Sequence, residues 1–593
     1  MFIDINLSGK AFPVVLAVIL GGTSMVRSAP VRLFDQPPVE ISKPADGVIL
    51  VDFGRVAFGN LKFLPPADMT GPIRVHFGEA FSSGYGRINR KPPGTVRYAT
   101  VEVKLDGKRE IVVAPPADKR NTKQPEAILT PPAWGNVLPF RWVEIEGWSG
   151  DFKPANVVRQ AGFLSSWNDA AASFQSSDET LNRIWDLCHY SIKASTFAGI
   201  YVDGDRERIP YEADAYLNQI GHYATDDDVQ MARDTYDRLM AYPTWPSEWG
   251  PHMIFMAHAD WLHTGDAAWL KPRYEALKGK LLLDRVGADG WVKSNSKQQG
   301  WNDLVDWPQT ERDGFEFREV NTVVNAFHLA ALAKMSDLAR AVGKDSEAED
   351  FTTRARKGRE VFNQALFMSD KGAYRDGIGT DHASSHASLF PLAFGLVPEA
   401  DTGAVAGYLA KRGMSCSVYA AQYLLEGLFR SGADKEALEL IVAKGDRSWR
   451  HMLESGTTIT WEAWDQKYKP NQDWNHAWGA APANLLPRFV LGVEPLSPGW
   501  KTALIAPHPG GLGESKGRIP TPCGPIIVQW LRDPVFQLIT RLPDSMTARI
   551  DLPSDNPADR VWIDGKEAAF TRTGSRLVLD QMVKGLTIIT VKP

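Results

Sequence analysis

Cysteine is scarce: the 593 residues contain three, Cys188, Cys416 and Cys523, in no CxxC or other metal spacing. Neither a disulfide framework nor a zinc site is implied. No long Lys/Arg run is present, and the formal net charge is -5. The cationic stripe of a nucleic-acid binder is therefore missing, and nucleic acid is not an expected partner. A Gly-rich phosphate loop and a metal-ligand cluster are also absent from the sequence pattern, so neither cofactor nor metal is expected. The longest apolar run, 11–21, is too short to span a bilayer, so no membrane span is expected in the mature protein. With Lys10 before it and Thr23 and Ser24 after it, this run resembles the core of a signal peptide. Residues 1–29 are expected to direct the chain to the periplasm or outside the cell.

Aromatic side chains, by contrast, are plentiful: 20 Trp, 15 Tyr and 26 Phe. Indole faces stack on the apolar face of a sugar ring, while Asp, Asn and His at the rim satisfy its hydroxyls. A Trp-rich cleft of this kind suits carbohydrate.

The chain changes character twice. Short alternating runs at 48–53, 73–78, 99–105, 109–114 and 140–146, broken by Pro and Gly, read as an antiparallel β-sandwich, with a loop over 115–136. At Ser176-Ser177-Asp178-Glu179 a capping box is expected, followed by Leu181, Ile184, Trp185 and Cys188 at helical spacing. Val324, Phe327, Ala331, Met335, Leu338 and Val342 mark a second helix, stopped at Gly343. The stretches 417–430 and 435–443 form an αα-hairpin across Ser431-Gly432-Ala433-Asp434. After Pro495, short runs at 526–530, 548–552 and 577–591 return to β. The expected domains are 30–165, 170–490 and 491–593.

Two segments concentrate chemistry. Residues 203–214 hold five carboxylates (Asp203, Asp205, Glu207, Glu212 and Asp214) with Arg206 and Arg208. Like charges raise one another's pKa and neighbouring Arg lowers them, so one carboxyl can remain protonated while others ionise. Far along the chain Glu462 stands between Trp461 and Trp464, followed by Asp473-Trp474-Asn475-His476. Between the two, Trp245-Pro246-Ser247-Glu248-Trp249 and Trp301-Asn302-Asp303-Leu304-Val305-Asp306-Trp307 repeat the pairing of Trp with a polar group.

With these motifs the chain resembles the α-L-rhamnosidases of glycoside hydrolase family 78. Asp203-Gly204…Arg206-Glu207-Arg208…Asp214 is similar to that family's first catalytic motif, Trp461-Glu462-x-Trp464 to its second, and Asn475-His476-x-x-Gly479 to a third. Phe140-Arg141-Trp142 and Pro498-Gly499-Trp500 agree as well. The resemblance implies a multidomain fold, an (α/α)6 toroid flanked by N-terminal and C-terminal β-sandwich domains. It also implies inverting release of terminal α-L-rhamnose. Glu207 would be the general acid and Glu462 the general base. Asp203, Arg206, Asp214, Trp249, Trp301, Asp306, Trp307, Trp461, Trp464 and His476 would line the sugar site. Because one residue rather than two separates Gly204 from Arg206, Asp203 stays a second candidate for the acid. An acid at position 207 requires Arg206 and Arg208 to turn away from it or to pair with neighbouring carboxylates. Another six-hairpin glycosidase, such as an uronyl hydrolase, or a non-catalytic carbohydrate binder remain alternatives.

Overall fold

The computed structural model describes residues 30–67, 69–82, 84–122 and 127–593; the signal-peptide segment lies outside them. The first strands form one eight-stranded antiparallel sheet that folds into a β-sandwich. Its organiser is the 16-residue strand Val48–Phe63. A register shift between Asp52 and Ala57 bends this strand. Gly54 sits at the bend with φ +80 while its N–H donates to Asp52 Oδ1. The half before the bend pairs with Glu40–Ala45, and the half after it pairs with Ile111–Val113 and Val157–Leu164. Phe53, Phe77 and Phe140 close edge-on in the core between the layers.

Helices then dominate up to residue 490. The first, Glu179–Ala194, is capped by Asp178, whose side chain accepts from the Leu181 N–H. This corrects the expected capping box. Ser176 is still in a strand, Ser173–Ser176, and its hydroxyl serves Asn182 and the Asp178 N–H instead of a helix start.

Six inner helices form a closed ring: α1 (Glu212–Thr225), α2 (Trp249–Thr264), α3 (Thr322–Ala341), α4 (Ser385–Ala393), α5 (Val418–Arg430) and α6 (Pro482–Leu485). Each packs on the next, and α6 returns to α1. Outer helices such as Gln230–Ala241, Asp345–Leu366, Thr402–Arg412 and Asp434–Ile441 back the ring. The ring's interior is aromatic, with Phe327 of α3 packed against Phe255, Phe390 and Tyr423 from three other inner helices. Among the described residues of this region the sole strand pair is a two-stranded antiparallel one, Phe367–Met368 with Ala373–Tyr374.

Two further sheets, of seven and five strands, complete the C-terminal part. The strand Ser173–Ser176, which precedes the first helix, joins the seven-stranded sheet beside Glu514–Ile519. The helical ring is thus pinned at its entry to the C-terminal domain. Trp530, wholly buried, donates its indole N–H to Val490 O at the exit. Among the described residues no helix is long and apolar enough to cross a membrane.

The loops that lead into the inner helices meet at one end of the ring. Asn321, Ser384 and Ser417 cap α3, α4 and α5 there through side-chain oxygens. Glu248, just before α2, accepts from the Leu304 and Val305 N–H groups, both at 2.8 Å, and so ties the 302–307 loop to this end. Helix N-termini carry partial positive charge, which makes this end of the ring a favourable place for carboxylates.

Candidate active site

Asp203 to Arg208 form a tight loop ahead of α1. Its Asp203 N–H donates to Ile209 O, and Asp203 Oδ1 accepts from the Ile209 N–H at 2.9 Å. Gly204 adopts φ +146, and a Cβ there would meet Asp473 Oδ2 at 2.6 Å. Only glycine lets the 203–208 loop and the 470s loop approach so closely. Arg208, with φ 56, sits in the left-handed region, held by two bonds to Asp205 Oδ1 and one to Val137 O.

Arg206 and Glu462 form a two-pronged pair. The guanidinium donates Nη1 to Oε2 at 2.9 Å and Nη2 to Oε1 at 3.0 Å. Its Nε faces Glu207 Oε1 at 3.4 Å. Lys469 adds a second cation at 3.1 Å from Glu462 Oε1. The two carboxylates therefore flank one guanidinium. Their surroundings differ. The Glu462 side chain is 2% exposed, that of Glu207 36%. The Tyr211 hydroxyl donates to Glu207 Oε2 at 3.1 Å. Arg208 pairs with Asp205, in keeping with the expectation that the arginines avoid Glu207, whereas Arg206 does not turn away from it.

His476 lies between two carboxylates, with Nε2 2.8 Å from Asp214 Oδ1 and Nδ1 3.3 Å from Asp473 Oδ1. Burial alone would lower its pKa; the bonds to Asp214 and Asp473 overcome this and hold it well above the usual imidazole value. Both ring nitrogens then donate. Glu462, Asp473 and His476 are near enough together to hold a metal ion, but an imidazolium has no lone pair to offer, and Arg206 and Lys469 already neutralise Glu462. Asp203 is pushed well above the carboxylate range by burial, with Glu207 adding to the push against His476.

The structure thus brings Asp203, Arg206, Glu207, Asp214, Glu462 and His476 into one cluster. Trp249 borders it, its ring edge-on to Tyr211 at 5.6 Å. Trp307 lies under Lys469, whose Nζ is 5.1 Å from the ring centroid. Trp461 is 3% exposed and stacks on Trp474 at 4.8 Å. Two of the expected sugar contacts are wholly enclosed. Trp464 is wholly buried, edge-on to Trp449 and bonded through Nε1 to Cys416 O. Asp306 is also wholly buried, bound to His386 Nε2 at 2.6 Å, to the Ser417 N–H at 2.9 Å and to the Ser417 hydroxyl. Both brace the site from behind, Asp306 by linking α4 to α5. Half of the Trp are buried; Trp301 is the most exposed, at 55%, and stacks on the exposed Trp245 at 4.8 Å. The Trp245 segment reaches the cluster through Thr244, whose N–H and hydroxyl both bind Glu212 beside Tyr211.

Sequence reading missed Tyr211 as the donor to Glu207 and Lys469 as the second cation on Glu462. Lys469 gave no signal, since it stands in an ordinary polar stretch; Tyr211 could have been found as the aromatic four residues after a candidate acid. It also missed Glu79 of the β-sandwich, which accepts from Asn475 Nδ2 at 2.9 Å.

The family model of the bacterial alpha-L-rhamnosidase six-hairpin glycosidase domain matches residues 169–490, more than half of the chain. The chain belongs to the bacterial α-L-rhamnosidase six-hairpin glycosidases. Two companion models, the α-L-rhamnosidase concanavalin-like domain and C-terminal domain, match 42–161 and 492–564. Among curated relatives, an α-L-rhamnosidase of Alteromonas sp. (strain LOR) is 23% identical over 570 residues, covering 89% of this chain and 58% of that protein. One of Streptomyces avermitilis is 22% identical, covering 90% and 51%. This family member thus spans little more than half the length of those relatives. Its fold is shared with the solved α-L-rhamnosidase of Dictyoglumus thermophilum, with TM-score 0.79, 18% identity and coverage of 96% of this chain and 64% of that one. It is shared too with the S. avermitilis enzyme complexed with L-rhamnose, with TM-score 0.77, 19% identity and coverage of 95% and 54%.

Proposed function

We propose that this chain is an inverting glycoside hydrolase that releases a terminal α-L-rhamnose, with Glu207 as general acid and Glu462 as general base. The observation that carries the reading is the pair of unlike carboxylates on one guanidinium, one open and one enclosed. The partly exposed Glu207 reaches the glycosidic oxygen and gives it a proton as the bond from that oxygen to the anomeric carbon breaks. On the opposite face Glu462 takes a proton from a water whose oxygen attacks the same carbon. The bonding pair leaves with the protonated aglycone, and proton exchange with solvent resets both groups.

Asp203, Asp214 and His476 bind sugar hydroxyls in this reading, and their directions suit it. Asp203, kept protonated by burial, can donate as well as accept, and the imidazolium of His476 fixes Asp214. The buried Asp203 cannot reach a leaving oxygen as readily as Glu207 can. Trp249, Trp307 and Trp461 form the apolar wall, and the exposed Trp301 with Trp245 offers a platform to the aglycone, on the side where Tyr211 and Glu207 stand. Export through residues 1–29 would deliver the enzyme to polysaccharides or glycosides outside the cytoplasm.

The test is hydrolysis by the purified chain of a panel of aryl glycosides and rhamnose-containing saccharides, with early product examined by NMR. Release of β-L-rhamnose first from an α-L-rhamnoside is the expected result. Activity on unsaturated uronides alone, retention of configuration, or no turnover of any rhamnoside would overturn the reading.

A further inference from the structure

Glu79 follows the strand Thr70–Gly78 of the β-sandwich and is 5% exposed, far in sequence from any catalytic motif. Its Oε1 accepts from Asn475 Nδ2 at 2.9 Å and its Oε2 from the Arg97 N–H at 2.8 Å. Asn475 in turn accepts, through Oδ1, the Asp205 N–H at 2.7 Å. Asp205 is one residue from Arg206 and two from Glu207. Two more of its polar atoms are held from the β-domain, while its Oδ1 stays with Arg208: its carbonyl accepts from Arg97 Nη2 at 2.9 Å and Asn121 Nδ2 at 2.7 Å, and its Oδ2 pairs with Arg97 Nε at 2.5 Å. The same β-domain loop grips the other catalytic segment, since the Thr95 N–H and hydroxyl both donate, at 3.1 Å, to Gln472 O and Asn471 O.

We propose that Glu79 is a positioning residue for the acid: through Asn475 it fixes the Asp205 peptide and thereby the direction in which the next two residues present Glu207. The inference rests on the hydrolase reading above. The order of donors and acceptors makes it specific. Asn475 Oδ1 must face the Asp205 N–H, so its amide nitrogen must face position 79, where only an acceptor can meet it. The second oxygen of Glu79 must also accept, from the Arg97 backbone. A glutamine keeps the shape but has one acceptor for two donors. Pairing it with an aspartate at 475 restores the match, because the new amide nitrogen then donates to the new carboxylate.

The experiment compares the full-length wild-type chain, Glu79→Gln, and Glu79→Gln combined with Asn475→Asp on two substrates, an activated aryl rhamnoside and a rhamnosyl disaccharide. Displacement of the acid penalises the poor leaving group most. The expected result for Glu79→Gln is a fall in kcat on the disaccharide of on the order of 10- to 100-fold, a much smaller fall on the aryl substrate, KM nearly constant, and recovery in the double variant. Equal losses on both substrates with a lowered Tm would make Glu79 merely structural and overturn the proposal, as would wild-type rates in the single variant. If Glu79→Gln does not fold, the double variant decides: a folded enzyme with wild-type preference between the substrates supports the proposal, and an equal loss on both overturns it. A wild-type chain inert towards every rhamnoside would be a failure of the hydrolase reading, not of this one.

Discussion

Arg206 lays both terminal nitrogens on the carboxylate of Glu462, at 2.9 and 3.0 Å, while its Nε faces Glu207. The proposed acid and base thus share one planar cation, and its rigidity sets their relative direction. A point charge cannot do this. Lysine at 206 would keep the charge but lose the fork, leaving Glu462 to Lys469 alone and Glu207 without its neighbour. Arg206→Lys is expected to lower kcat by about 100-fold, the scale of an ångström-sized misplacement at a reacting centre, on activated and natural substrates alike. Rates within a few-fold of wild type would show that the fork is dispensable.

Exchanging the two carboxylates for amides should separate their roles. Glu207→Gln removes the transferable proton but keeps the shape. An aryl rhamnoside with a good leaving group is expected to retain far more activity than a disaccharide in this variant, with binding of both preserved. Glu462→Gln is expected to suppress both substrates together, because each needs the activated water, and azide should restore turnover of the aryl substrate if it can take that water's place. If Glu207→Gln cleaves both substrates at the normal rate, Asp203, the neighbouring carboxyl that burial keeps protonated, is the next to replace.

The parts legible in the sequence were those written in local order. Periodicity and turn residues gave the strands of the first sandwich, the hairpins of the ring and the return to β after Pro495, and motif spacing picked out Glu207, Glu462 and His476. What sequence could not supply was direction. Trp464 and Asp306 belong to the same motifs as Glu462 and Trp307, yet Trp464 points into the packing behind the cluster and Asp306 bridges two helix starts. Arg206 lies next to Glu207 in the chain but spends its two best donors on a residue 256 positions away. Glu79, 396 positions from Asn475, has no local pattern at all, because the contact exists only once the sandwich docks on the ring.

The stacked pair Trp245 and Trp301 exposes an apolar face that the fold does not cover. If it receives the aglycone, Trp301→Ala should raise KM for a disaccharide or a polyphenol rhamnoside by about 2- to 12-fold, the factor matching the roughly 0.5–1.5 kcal/mol of a stacking contact. Methyl rhamnoside, whose aglycone is one methyl group, should be unaffected. Comparing the disaccharide with the polyphenol tells which flat partner the platform prefers, and an equal change for methyl rhamnoside would remove Trp301 from the aglycone side.

Buried titrating groups set how stability varies with pH. Burial pushes His252, His258 and His263 down to about 3, 4 and 3. The unfolded chain takes up protons on these groups below about 6.5 and the folded one does not, so the stability they confer is complete above that pH and is lost as pH falls. Burial acts in the other direction on two carboxyls, raising Glu248 and Glu311 each to about 7, with Asp303 adding to the push on Glu248 and Asp306 to that on Glu311. Here the folded chain keeps a proton that the unfolded one releases above about 4.5, so stability is full below that value and declines until the folded groups themselves ionise, near 7. His476, held well above its ordinary value by Asp214 and Asp473, also loses its contribution as pH rises. The two trends oppose each other between about 4.5 and 6.5, and above that range only the decline remains. Thermal unfolding followed from pH 4 to 9 is therefore expected to show a maximal Tm near pH 6 and a fall towards pH 8. A Tm that kept rising from pH 6 to 8 would show that Glu248 and Glu311 are already ionised in the folded protein at pH 6.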